Sequence, residues 1–250
     1  MAGIPEIKTI GVMGGGVMGG GIAQVFALHG YNVLSRDISE ELNAKTRETI
    51  TTGRYGLEGG VERGKVTRQQ ADEAVSRISF ITAVDDLKGV DLVVEAVPED
   101  FELKKKVWAE LEGIVRKDAI FATNTSGFSI TKLADAVQRK DRFVGMHWFS
   151  PAPIMKMVEI VAGPETSDET VHAMVDLCER SEKVAVRVKD QPGAYGFVAN
   201  RIYLAAVAEA QKILDEDLAT VEDINKAMVY GYNWPVGPLA MIEGARKGWG

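Results

Sequence analysis

Cysteine is almost missing from this sequence: Cys178 stands alone among 250 residues. No internal disulfide can form, and no cysteine pair marks a redox or metal site. One thiol suits a reducing compartment, so a cytoplasmic setting is expected, with Cys178 as a buried, inert side chain. Long apolar runs are also missing. The longest uninterrupted one extends only from Ile202 to Ala208, far short of the roughly 20 residues that a membrane-spanning helix needs. The opening, MAGIPEIKTIGVMG, has no basic segment followed by an apolar core and a small-residue cleavage site, and so does not read as a secretory signal. Basic charge is in deficit, with 29 Lys and Arg against 36 Asp and Glu and a net charge of -7. That balance excludes the long-range positive field of a nucleic-acid binder, although local clusters can still hold phosphates. Histidine is scarce, at three residues, and no metal-ligand spacing is present.

What remains is ordinary globular material, 46% apolar and 26% charged, enough for one large core or two modest ones. Ile7 to Met13 reads as a buried strand running into glycines, and Val17 to Leu28 shows apolar residues at helical spacing. Tyr31 to Ser35 follows as a second strand, so the chain opens with a parallel strand, helix, strand unit. Residues 39–76 are polar and helix-favouring, broken by glycines at 53, 56, 59, 60 and 64, and predict a hairpin of two helices outside the sheet. Strand patterns return at Ile78–Ile81, Asp91–Val97, Ala119–Ala122, Arg142–Met146, Lys156–Val161 and Val184–Val188, with helices at Phe101–Arg116 and Asp168–Ser181. A doubly wound α/β fold of the Rossmann type follows for residues 1–189. From residue 190 to 250 the turn-rich QPGAYG gives way to two helical runs and no strand, which predicts a small all-α domain. It stops at GARKGWG without a capped or amphipathic terminal helix, and about 60 residues make a small independent core. The chain therefore reads as a fragment, or as one that needs a partner surface.

In GVMGGGVMGGG only one register satisfies G-x-G-x-x-G, and it places Gly14, Gly16 and Gly19 at the strand end and helix entry. The first glycine permits the tight turn, the second lets backbone approach a pyrophosphate, and the third allows close helix packing. Free amides and the helix dipole attract the anion. Asp37 lies 18 residues beyond Gly19, at the end of the second strand. A carboxylate there accepts hydrogen bonds from an adenosine ribose and repels a 2'-phosphate, favouring NAD over NADP. Arg36 beside it could accommodate that phosphate, and Asp37 could instead be a helix cap.

His147 ends the apolar run RFVGMHWFSP, whereas His29 precedes a glycine at a helix end and His172 lies on a polar helix. Abstracting a hydroxyl proton during hydride transfer needs a base, and an imidazole, with an ordinary pKa of ~6.5, suits that task. Glu159, in the next strand MKMVEIV, sits among apolar neighbours, where a carboxylate is costly unless paired. A histidine is its natural partner, oriented by the carboxylate and stabilised when protonated.

The run GMHWFSPAPIMKMVEIV resembles the signature of the 3-hydroxyacyl-coenzyme A dehydrogenases, which oxidise the 3-hydroxyl of an acyl thioester during fatty-acid oxidation. GVMGGGVMGGGIAQVFALHGYNV, EAVPEDFELKKKVW, ATNTSGFSI and PGAYGFVANRIY fall in the family's order, from about residue 7 to 243. The resemblance implies L-3-hydroxyacyl-CoA and 3-ketoacyl-CoA as substrates, NAD as cofactor, and a homodimer formed through the helical domain if that domain is complete. It implies that Ser126 hydrogen-bonds the reacting oxygen, that Asn200 helps to hold it, and that Glu99, Lys104 and Asn124 lie on the nicotinamide side. Each has a structural alternative: Ser126 as a cap for a helix starting near Ser129, Asn200 in a turn, Lys104 in a solvated charge run. Departures from the pattern are Gly127 and Ser150, where the family has serine and asparagine, and PGAYGF in place of a shorter PGF. Arg54, Arg63 and Lys65 are candidates for coenzyme A phosphates. The ending NWPVGPLAMIEGARKGWG resembles family members that continue into an enoyl-coenzyme A hydratase module. Competing readings are a related hydroxy-acid or sugar-acid dehydrogenase on the same scaffold, and an NAD-binding structural protein without turnover.

Overall fold

The computed structural model describes Ile4, residues 6–193 and residues 195–246. They divide into two compact units, Met1–Tyr195 and Gly196–Gly250. In the first, β1 (Thr9–Met13), α1 (Val17–Leu28) and β2 (Asn32–Arg36) form the predicted opening unit. Three helices then occupy the segment predicted to hold two: α2 (Glu40–Thr51), α3 (Leu57–Glu62) and α4 (Arg68–Ser76). The glycines explain the difference. Gly53 and Gly56 separate α2 from α3, and Gly64, at φ +66°, turns the chain between α3 and α4. Ser39 caps α2, and Thr67 and Gln70 form a reciprocal capping box on α4. The insertion packs on α1, burying Ile50, Leu57, Ala71 and Ala74 in the main core.

The rest of this unit comprises β3 (Ile78–Ile81), β4 (Leu92–Glu95), α5 (Phe101–Ile114), β5 (Ile120–Thr123), α6 (Ile130–Ala134), β6 (Phe143–Trp148), β7 (Met157–Ala162), α7 (Asp168–Arg180) and β8 (Val184–Lys189). The eight strands form one sheet in the order β3-β2-β1-β4-β5-β6-β7-β8. Pairing is parallel except between β6 and β7. Residues 149–156 alone connect those two strands, fewer than the dozen or so that a parallel crossover requires, and so β7 returns antiparallel. Ile10, Val12, Phe26, Val94, Ile120, Met146 and Ile160 are buried in the core, each worth roughly 1.5–3 kcal/mol over exposure. Strand order reverses between β1 and β4, so the crevice for a ligand opens at the carboxyl ends of those strands.

The second unit contains α8 (Ala199–Asp215), α9 (Val221–Tyr232) and α10 (Pro238–Arg246), one helix more than the sequence predicts. Its cap is supplied from elsewhere: Asn225 on α9 accepts the Leu239 and Ala240 amides through Oδ1 at 3.1 and 3.2 Å. A local pattern does not reveal such a cap, although Pro238 at the first helical position fits. Among the described residues no helix is long and apolar enough to cross a membrane.

Candidate active site

Each glycine of the motif has a distinct steric reason. Gly14 adopts φ +92°, and a Cβ on it would stand 2.8 Å from the Ala96 carbonyl oxygen at the end of β4. A Cβ on Gly19 would lie 1.7 Å from the Gly14 carbonyl oxygen, so the first turn of α1 can approach the loop only without one. Gly16 is exposed, with nothing within 4 Å of its Cβ position, which leaves its backbone open to a ligand. Gly15, outside the motif, is also required: its carbonyl accepts the Thr46 hydroxyl at 2.7 Å, and a Cβ there would strike that side chain. Asp37 follows β2 and accepts the Gly15 amide at 2.8 Å and the Ile38 amide at 2.7 Å. Its carboxylate is thereby held at the glycine loop, while the Arg36 Nε donates to the Thr82 carbonyl at 3.0 Å.

A cleft of about 820 Å³ opens at this switch point, lined by Gly14, Gly16, Asp37, Glu99, Asn124 and Ser126, among others. A glycine cradle, a carboxylate after β2 and a cleft of this size fit a dinucleotide. Gly19 lies buried beneath the loop, as its packing role requires. Ser129, and not Ser126, caps α6, accepting the Lys132 amide. Ser126 is therefore at the cleft and outside the cap. Asn124 accepts the Trp148 amide at 2.9 Å, tying the end of β5 to the end of β6 beside His147.

The antiparallel return of β7 sets His147 directly opposite Glu159 in the ladder. His147 Nδ1 lies 2.7 Å from Glu159 Oε2, with the histidine 4% exposed and the glutamate 0%. Burial makes the contact strong, because an isolated carboxylate at this depth would be costly. His147 is not part of the cleft lining. It stands at the neighbouring strand end, with Phe149 packed on its ring at 4.5 Å. Asn200 lies in the first turn of α8, in the helical unit. His29 bonds the Val25 carbonyl at the end of α1, and His172 lies on α7. Burial pushes the Cys178 thiol up to about 12, so it stays protonated and unreactive.

Lys104 is not part of a solvated charge run. It is fully buried, and its Nζ donates to Glu95 Oε1 at 2.6 Å and to the Val97 carbonyl at 3.2 Å, with Glu99 Oε2 at 3.4 Å. Glu99 in turn accepts the Thr125 hydroxyl at 2.6 Å and the Ser126 amide at 2.8 Å. The sequence reading missed Glu95, although its signal is the one that exposed Glu159: a carboxylate inside an apolar strand, here LVVEAV. Among the described residues no group of three or more His, Cys, Asp or Glu side chains is arranged to hold a metal ion.

Comparison with known proteins identifies the family. Residues 9–191 match the 3-hydroxyacyl-CoA dehydrogenase NAD binding domain, and residues 196–247 match the C-terminal domain of the same enzymes. The mitochondrial hydroxyacyl-coenzyme A dehydrogenase of Rattus norvegicus is 37% identical over 95% of this chain and 76% of its own length. The 3-hydroxybutyryl-CoA dehydrogenase of Clostridioides difficile is 38% identical over 93% of this chain and 80% of its own. The crystal structure of (S)-3-hydroxybutyryl-CoA dehydrogenase from Ralstonia eutropha superposes with a TM-score of 0.90 at 42% identity, covering 94% of this chain and 81% of that one. With both domain matches, these relatives and the paired histidine and glutamate in hand, the chain belongs to the 3-hydroxyacyl-CoA dehydrogenase family of NAD-dependent oxidoreductases.

Proposed function

We propose that this protein oxidises the 3-hydroxyl of an L-3-hydroxyacyl-coenzyme A to the 3-keto thioester, reversibly, with His147 as the proton-transferring residue. The observation that carries this reading is the buried His147 and Glu159 pair at the strand end beside a dinucleotide cleft. NAD, when bound, supplies the acceptor for the hydride leaving C3. With Nδ1 engaged by Glu159, His147 exchanges the hydroxyl proton through Nε2, and the carboxylate stabilises the imidazolium that forms. Proton transfer of this kind contributes roughly 10²–10⁴-fold. The Ser126 hydroxyl donates to the reacting oxygen as it becomes a carbonyl. Gly14 and Gly16 receive the pyrophosphate above the packed Gly19, Asp37 the ribose, and Glu99 and Asn124 the nicotinamide side, with Lys104 acting from behind Glu99.

The names of the relatives, hydroxyacyl-coenzyme A and 3-hydroxybutyryl-CoA dehydrogenases, support a thioester substrate. The deciding experiment follows NADH absorbance with 3-hydroxyacyl-CoA thioesters and with free 3-hydroxy acids. Turnover of thioesters alone is expected; equal turnover of the free acids would contradict the substrate assignment. We propose a homodimer through the helical unit, supported by Ile202, Leu218, Tyr230 and Tyr232, which are 64–84% exposed. Equilibrium sedimentation checks it: a dimer mass is expected, and a monomer at micromolar concentration would refute it. A cytoplasmic setting accords with the single buried thiol.

A further inference from the structure

Glu95 is the last residue of β4 and is 0% exposed. It does not line the dinucleotide cleft, yet three donors converge on its carboxylate. Lys104 Nζ and the Val97 amide reach Oε1 at 2.6 and 2.9 Å, and the Thr123 hydroxyl reaches Oε2 at 2.7 Å. Thr123 is its direct partner in the β4–β5 ladder, so the strand register itself delivers that hydroxyl. A buried carboxylate that meets only donors is built to carry charge, and an amide could not accept from all three through its single oxygen. Burial raises the Glu95 carboxyl above the ordinary carboxylate range, and Lys104, Thr123 and Val97 offset part of that rise.

The ammonium that Glu95 holds is the hub of the next turn. Lys104 Nζ donates to Glu95 and to the Val97 carbonyl and pairs electrostatically with Glu99 Oε2 at 3.4 Å, so all of these partners come from the short segment 95–99. That segment forms one wall of the cleft through Ala96, Val97, Pro98 and Glu99. Were Lys104 to lose its 2.6 Å partner, its charge would turn to Glu99, the other carboxylate within reach, and draw it from the Thr125 hydroxyl and the Ser126 amide. We propose that Glu95 is a positioning residue for the cofactor: through Lys104 it fixes Glu99 and the 96–99 wall, without touching the dinucleotide itself. This deepens the dehydrogenase reading and rests on it for the cofactor, and its test reads NADH binding instead of acyl-CoA turnover, so the two fail separately.

The test titrates NADH by fluorescence and follows thermal unfolding in the wild type, Glu95→Gln, Lys104→Met and the double variant. Glu95→Gln keeps the shape and removes the charge. Its NADH Kd is expected to rise about tenfold or more, by analogy with the loss seen when the groups that orient a metal's ligands are removed. The double variant replaces the ion pair by a neutral pair and is expected to recover Tm while binding NADH no better than Lys104→Met. A purely structural Glu95 would instead let affinity recover together with Tm. If the single variants do not fold, the double variant decides alone. NADH affinity equal to wild type in Glu95→Gln or in the double variant would overturn the proposal, as would losses that add when the substitutions are combined.

Discussion

At the scale of single residues, the site works by placing charge where it would be expensive alone. Glu159 is fully buried and Glu95 is too, and each is made tolerable by one cation or one imidazole at 2.6–2.7 Å. Asp37 is different, being partly solvated and held by the Gly15 and Ile38 amides. We propose that its negative charge discriminates against a 2'-phosphate, with Arg36 beside it held by the Thr82 carbonyl. Asp37→Asn keeps an amide-accepting oxygen and removes the charge. It should narrow the preference for NADH over NADPH by about tenfold, or ~1.4 kcal/mol, in paired fluorescence titrations; an unchanged ratio would remove Asp37 from that role. The Glu159 partner was legible because an acid in an apolar strand demands one. Glu95 carries the same mark and stayed unread, since its lysine lies nine residues on across a turn, a spacing that belongs to neither a helix face nor a strand ladder.

At the scale of elements, the strands and α1 follow from apolar pattern, whereas connections depend on contacts that no local pattern records. The cap of α10 comes from Asn225 in the preceding helix, and the orientation of β7 comes from the shortness of the segment before it. That segment, residues 149–156, is held from below by Lys183 at the entry to β8. Its buried Nζ donates to the Ala152 and Met155 carbonyls at 2.8 and 2.9 Å. Burial lowers its pKa from 10.5 to about 8, with Lys156 adding to the effect. Below about 8 both folded and unfolded chains carry the proton; between there and 10.5 the unfolded chain binds more, and this group's contribution to stability rises with pH. Urea unfolding of the wild type and Lys183→Met at several pH values should therefore show the wild type gaining on the variant as pH climbs through that window. A constant difference would mean that the amine titrates normally.

At the scale of the whole molecule, the α/β class, the helical second unit and the family were all legible, because ordered motifs extend over nearly the entire sequence. The third helix of the insertion and the terminal helix were not, since glycine-broken and turn-rich stretches weaken the periodicity that marks a helix. The proposed turnover depends on proton transfer at the imidazole that Glu159 steadies. Stopped-flow absorbance of NADH formation from a 3-hydroxyacyl-CoA, comparing wild type with His147→Gln, tests this most directly. Hydride transfer should slow by about 10²–10⁴-fold while NADH binding is retained; a burst of undiminished rate in the variant would contradict the mechanism.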